Sequence, residues 1–285
     1  MNSFSVKPLR SGSSGNLTLV EHAGTAILVD AGLPSQRGLS AALSEAGATW
    51  DDIDAVVVSH LHGDHIHPSA VACCARHEVP ILLHERNLRA FSRRVLPRSP
   101  RSGPIRTFGD EAFAVGSIGV EPFPVPHDAE GQTSGFLLSA RAGERESHVS
   151  IATDLGTGGN GLYERFVDSD LILIESNYDT GMLTKSHRNP ADRARVDSDT
   201  GHLSNEQAGK FLVRVMQESR KLPRAVVLCH LSIDHNTPAL ATGTVGAILA
   251  RHGFPDIPVH AARRDRPSPR FFAMETEKRS IYNPD

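Results

Sequence analysis

Between Ser59 and His65 the chain reads S-H-L-H-G-D-H, so His60, His62, Asp64 and His65 crowd one short stretch. Three imidazoles that close together repel one another once protonated, and the carboxylate beside them is costly to desolvate. A divalent cation relieves both penalties. Imidazole nitrogen with carboxylate oxygen is the donor mix that suits zinc, manganese or iron. A histidine-rich surface loop is the plain alternative, but Asp54-Ala-Val-Val-Val58 just upstream reads as a buried β-strand. The cluster therefore leaves a strand end.

Further ligands should then lie on loops just past other buried strands. His127 follows Val120-Glu-Pro-Phe-Pro-Val-Pro126, Asp154 follows Val149-Ser-Ile-Ala-Thr153, and His230 follows Ala225-Val-Val-Leu-Cys229. Each alone has an ordinary reading, as a turn aspartate or a surface histidine. The recurrence of one pattern beside a strong cluster makes the set a candidate metal centre. Asp154 also opens a glycine-rich loop containing Gly156, Gly158, Gly159 and Gly161.

The elements that must carry these residues follow from hydrophobic patterning and turn residues. Strands are expected over 5–9, 16–21, 25–30, 56–58, 81–83, 105–108, 112–115, 118–125, 135–140, 149–153, 171–174 and 225–229. Helices are expected over 39–46, 68–75, 87–95, 207–218 and 237–251, with Pro68 and Pro238 placed to open two of them. The stretch 96–106, rich in proline and arginine, reads as a loop. Strands, then helix-linked strands, then the same again, predict two facing sheets with helices outside. No linker divides the chain, so 1–285 is read as one domain.

Bulk properties narrow the function. Against 33 acidic residues stand 30 lysines and arginines, for a formal charge of −3. No global basic field advertises nucleic acid, and anion binding must be local. The three cysteines, Cys73, Cys74 and Cys229, cannot build a disulfide framework and read as small buried hydrophobes. The N-terminus lacks a secretory pattern, and no run is long and apolar enough for a membrane span. A cytoplasmic protein without membrane association is expected.

S-H-L-H-G-D-H with His127, Asp154 and His230 resembles the signature of the metallo-β-lactamase-fold hydrolases, H-x-H-x-D-H followed by a later His, Asp and His. Val29-Asp-Ala-Gly32 is similar to that superfamily's first motif. The resemblance implies an α/β (αββα) sandwich of two facing mixed sheets. It implies two divalent ions, Zn2+ or Mn2+: His60, His62 and His127 holding one, Asp64, His65 and His230 the other, Asp154 bridging. Asp30 would stand behind the ligands and orient them, or simply be a turn residue before Gly32.

The finer resemblance is to the WalJ/YycJ-type exonuclease branch. It rests on Arg10-Ser-Gly-Ser-Ser-Gly-Asn16, Pro126-His-Asp-Ala129, Thr153-Asp-Leu-Gly156 and Ile174-Glu-Ser-Asn-Tyr-Asp179. Thr200-Gly-His-Leu-Ser-Asn205 and His230-Leu-Ser-Ile-Asp-His-Asn236 complete it. The order is looser in tRNase Z and RNase J, and Glu175 and His230 stand too near in sequence to admit RNase J's large inserted domain. The implied activity is phosphodiester hydrolysis of nucleic acid, DNA favoured, by a hydroxide that two cations share. Asp64 is counted in the catalytic centre. His202 would protonate the departing sugar oxygen, with Glu175 orienting it; an ion pair and a helix-preceding residue are their structural readings.

Ser13, Ser14 and Asn16, in a loop that is either a hairpin turn or a phosphate cradle, are candidate substrate contacts, as are Ser204 and Asn236. Arg89, Arg93, Arg94, Arg98, Arg101 and Arg106 form either a solvated face or a nucleic-acid track, and Arg188, Arg193 and Arg195 could meet substrate phosphates. Small-molecule hydrolysis of a cyclic phosphodiester, thioester or lactam is the competing activity. A metal-holding module that senses nucleic-acid ends without turnover is a third reading. Oligomeric state and strand polarity leave no mark in the sequence.

Overall fold

The computed structural model describes residues 3–99, 103–157 and 161–275. Gly158, Gly159 and Arg101, singled out above, lie outside the described residues. The chain opens with β1 (Phe4–Arg10), β2 (Leu17–His22), β3 (Thr25–Val29), β4 (Ala55–Val58), β5 (Ile81–His84) and β6 (Ile105–Phe108). It continues through β7 (Phe113–Val115), β8 (Ile118–Pro124), β9 (Ser134–Ala142), β10 (Arg145–Ala152), β11 (Leu171–Glu175), β12 (Ala225–Cys229) and β13 (Val259–Ala261), then closes with β14 (Phe271–Met274).

Two seven-stranded sheets result, ordered β14-β1-β2-β3-β4-β5-β6 and β13-β12-β11-β10-β9-β8-β7. Each is antiparallel in one half and parallel in the other: parallel pairing begins at β3–β4 in the first sheet and at β10–β11 in the second. The parallel halves need crossovers, and helices supply them. These are α1 (Gln36–Ala46), α2 (Pro68–His77), α3 (Leu88–Arg94), α4 (Thr180–Thr184), α5 (Pro190–Val196), α6 (Asn205–Glu218) and α7 (Pro238–Arg251).

Strand side chains alternate between two cores. In β11, Leu171 and Leu173 enter the layer between the sheets, while Ile172 and Ile174 pack outward with Leu212 and Val215 of α6 and Val245 of α7. In β3, Ile27 and Val29 face inward, and Leu28 packs outward with Leu39 and Leu43 of α1 and Val71 of α2. Burial on both faces explains why these strands read as unbroken apolar runs. The αββα sandwich is thus the observed fold. The three cysteines are free and buried, and burial pushes the Cys73 thiol up to about 11. Among the described residues no helix is long and apolar enough to cross a membrane.

The expected elements all appear, most within two residues of the expected ends. The loop expected over 96–106 contains a short 3-10 turn at Leu96–Arg98, and a 3-10 turn at Glu85–Asn87 precedes α3. Four elements escaped the sequence pattern: α4, α5, β13 and β14. No described residue of α5 is buried, so it has no apolar periodicity to show. Strand β14 exists because β1 pairs with it from the other end of the chain, Phe4 opposite Met274.

Candidate metal centre

The parallel strands stop at one edge of the sandwich, and the predicted ligands stand on the loops that leave them. Asp30 follows β3, the histidine cluster follows β4, Asp154 follows β10, Glu175 ends β11 and His230 follows β12. His127 arrives from the antiparallel β8. Two of these residues sit in left-handed backbone despite having side chains, Asp30 at φ 62° and His230 at φ 53°. Strain of that kind persists only where the surroundings enforce it.

The surroundings do. Asp30 Oδ1 accepts from Ser59 N at 2.8 Å, and its Oδ2 accepts from Ser59 Oγ at 2.9 Å and His65 Nδ1 at 2.7 Å. The backbone of Ala31 donates to His65 O, and that of Asn16 to Asp64 O. Gly32 is needed for this closeness, since a Cβ there would stand 1.8 Å from Asp64 O. On the other side Ser11 Oγ accepts from His230 N at 2.8 Å, and Asn177 Nδ2 donates to His230 O at 2.8 Å.

Seven side chains converge. His60 Nε2 lies 3.0 Å from His62 Nδ1, which lies 3.2 Å from His127 Nε2. Asp64 Oδ2 lies 3.2 Å from His230 Nε2 and 3.7 Å from His65 Nε2. Asp154 reaches towards both groups, with Oδ2 2.7 Å from His65 Nε2 and Oδ1 3.4 Å from His127 Nε2. The ligand atoms of His60, His62 and His127 all lie within 4.8 Å of one another, as do those of Asp64, His65 and His230.

The hydrogen bonds behind these residues decide whether a cation fits. His65 Nδ1 faces Asp30, His127 Nδ1 faces the Gly201 carbonyl at 3.1 Å, and His230 Nδ1 faces Glu175 Oε1 at 2.8 Å. Carboxylate and carbonyl oxygens only accept, so each Nδ1 carries the proton. Ser59 Oγ spends its own proton on Asp30, so it accepts from His60 Nδ1 at 3.0 Å. Four Nε2 atoms are thereby aimed inward, the arrangement that fixes the tautomer of a metal-binding histidine. Asp154 Oδ2, buried among them, meets no described donor other than the His65 ring nitrogen at 2.7 Å. The donor set fits divalent cations.

Electrostatics agree. Burial, reinforced by the charge of His65, holds His60 well below the usual imidazole range. Burial and His127 bring His62 down to about 4. Both are neutral lone-pair donors at physiological pH. Burial pulls on His230 as well, but Asp154, Asp64 and Glu175 outweigh it and lift the group to about 10. Asp154 is itself held well below the carboxylate range, burial notwithstanding, by His230 and His65. The carboxylates thus demand positive charge at this spot.

Glu175 is fully buried and joins two histidines. Its Oε1 lies 2.8 Å from His202 Nδ1 as well as from His230 Nδ1, and its Oε2 accepts from Leu155 N at 3.0 Å and Leu203 N at 3.2 Å. His202 loses basicity to burial but regains more from Glu175, so its pKa is raised. Among the described residues nothing bonds His202 Nε2. Gly201 must be glycine, because a Cβ there would meet Arg195 O at 2.2 Å.

The candidate substrate contacts divide. Asn16 is buried, its Oδ1 accepting from Gly12 N and its Nδ2 donating to Asp64 O at 3.2 Å. Asn236 is buried and bonds Ser176 O and Asn205. Ser204 caps α6 through Gln207 N. Ser13 and Ser14 are exposed. His67 caps α2, and His235 Nε2 lies 2.7 Å from Ser186 Oγ; neither joins the cluster. Four of the nine arginines named above are paired with carboxylates among the described residues: Arg93 and Arg94 with Glu130, Arg188 with Asp234, and Arg195 with Asp128. Arg193 donates to the Thr184 carbonyl. Sequence reasoning quoted Ser59, Ser11 and Asn177 within motifs but gave them no role in holding Asp30 or His230, because their partners lie elsewhere in the chain.

Comparisons with known proteins bear on the fold and the family. A family model described as a beta-lactamase superfamily domain matches residues 25–231. Exodeoxyribonuclease YycJ of Bacillus anthracis is 30% identical over 258 residues, 88% of this chain and 90% of that protein. Exodeoxyribonuclease WalJ of Streptococcus pneumoniae serotype 2 (strain D39 / NCTC 7466) is 30% identical over 257 residues, 87% and 89% of the two chains. Among solved structures, the metallo-beta-lactamase fold protein YhfI from Bacillus subtilis superposes with a TM-score of 0.67 at 14% identity, covering 94% of this chain and 99% of its own. Human tRNase Z, short form, gives 0.60 at 16% identity, covering 93% and 98%. By family, fold and relatives together, the chain belongs to the metallo-β-lactamase-fold hydrolases.

Proposed function

We propose that this protein is a metal-dependent exodeoxyribonuclease of the cytoplasm. Two divalent cations, Zn2+ or Mn2+, would be held by His60, His62 and His127 on one side and by Asp64, His65 and His230 on the other, with Asp154 shared. Bound there, they supply Lewis acidity that neutralises charge on the phosphoryl oxygens and makes water nucleophilic near neutral pH.

The observation that carries the reading is the bond between Glu175 and His202. A hydrolase of thioesters has no need of a proton donor, because a thiolate departs unaided. A sugar oxygen is a poor leaving group and needs one. Glu175 accepts the Nδ1 proton, fixes the ring, and favours the protonated form. The remaining nitrogen is then the acid. Buried, free cysteines suit a reducing compartment.

Small-molecule hydrolysis remains the second reading, favoured by the pairing of Arg93, Arg94, Arg188 and Arg195 with carboxylates. End-labelled single- and double-stranded DNA and RNA, incubated with manganese- or zinc-loaded protein, separate the two. Metal-dependent shortening of DNA, lost on chelation, is the expected result. Cleavage of a lactam, thioester or cyclic phosphodiester without any attack on DNA or RNA would overturn the nuclease reading.

A further inference from the structure

The loop from β13 to β14 carries Arg263, Arg264 and Arg266, and it borders a cavity of about 490 Å³. Ser11 and Leu231 also line it, and both adjoin the candidate metal centre: Ser11 Oγ accepts from the amide of His230 at 2.8 Å, and Leu231 is the next residue.

Arg264 is the unusual member. It is half-buried, and burial lowers its pKa although the charges of Asp234 and Asp265 push the other way. Its guanidinium donates to the Leu231 carbonyl and approaches Ser14 Oγ at 3.5 Å. It lies flat on Gly12, where a Cβ would stand 2.9 Å from Nη1. The paired arginines around the centre each have a carboxylate partner; among the described residues Arg264 has none within ion-pair distance, Asp265 on the same cavity included. A partly desolvated cation without a counter-ion costs stability unless an anion completes it. A guanidinium fork matches phosphate oxygens in pairs.

We propose that this cavity binds a phosphate of the substrate strand other than the one being cleaved, with Arg264 as its principal contact and Arg263 and Arg266 at its mouth. The proposal rests on the nuclease reading and extends it. It also supplies the local basic site that a chain of net charge −3 needs in order to hold DNA.

Fluorescence anisotropy tests it with metal-loaded protein and a hydrolysis-resistant phosphorothioate DNA 12-mer, with and without a terminal phosphate, across a salt series. Arg264→Gln is expected to weaken binding about tenfold and to reduce the log Kd against log salt slope by about 0.7. Arg264→Lys should recover part of the affinity, which separates lost charge from a damaged loop. Arg251→Gln, at the far end of α7, is the control and should bind as wild type does. A loss confined to the terminally phosphorylated strand assigns the site to a terminal phosphate, and an equal loss on both strands assigns it to the backbone. Unchanged affinity and slope in Arg264→Gln overturn the proposal. Wild-type protein that binds DNA but cleaves none overturns the nuclease reading alone, and wild-type protein that binds no DNA overturns both.

Discussion

Two buried carboxylates organise the centre, one from each sheet, and they do different work. Asp30, after β3, receives His65 directly and His60 through Ser59. Both of its histidines are candidate ligands, so under the proposed function Asp30 would serve binding alone. Glu175, at the end of β11, receives His230 and His202. It therefore ties one candidate ligand to the candidate acid, and under the proposed function one side chain would couple binding to turnover. The similar placement with dissimilar clients shows how a repeated strand-end layout can be divided between holding a metal and using it.

The largest effect should come from breaking the second carboxylate. Glu175→Gln should reduce kcat on DNA by at least about 10²-fold and also weaken metal retention, because a neutral amide has one acceptor oxygen and cannot serve both the two histidines and the Leu155 and Leu203 amides. Next, His202→Ala should lower kcat on DNA by about 10²–10⁴-fold while metal content stays that of wild type. On bis(4-nitrophenyl) phosphate, whose leaving group needs no proton, the same variant should lose far less. Equal losses on both substrates would show that His202 shapes the centre instead of acting as its acid. Asp30→Asn should weaken metal affinity about 10–100-fold by chelator competition, with kcat restored at saturating metal. If excess metal fails to restore it, the division between the two carboxylates is wrong.

The smallest effect concerns stability. Ser204→Ala removes the cap of α6 and should cost about 1 kcal/mol, read from denaturant midpoints. It sits one residue from the His202 loop, so any drop in kcat beyond that loss would mean Ser204 touches substrate after all.

Legibility in sequence follows the same division. The first candidate ligands are readable because a single loop after β4 carries four of them, and the strand before it is an unbroken apolar run. His127, Asp154 and His230 needed a repeated strand-end pattern, because each arrives alone. Glu175 needed resemblance: a glutamate ending an apolar strand is equally well an ion pair until His202 is seen beside it. Ser59 and Asn16 were invisible as positioning residues, since their partners, Asp30 and Asp64 O, are set by the pairing of β3 with β4. Arg264 was invisible for the same reason at longer range. Its loop reaches Ser14 only because β14 returns to pair with β1.

The claim on which the rest depends is that the seven side chains surround cations. Anomalous diffraction from crystals of manganese- or zinc-loaded protein addresses it without reference to substrate. Two metal peaks are predicted, one among His60, His62 and His127 and one among Asp64, His65 and His230, with Asp154 touching both. Peaks elsewhere, or none at full loading, would contradict it.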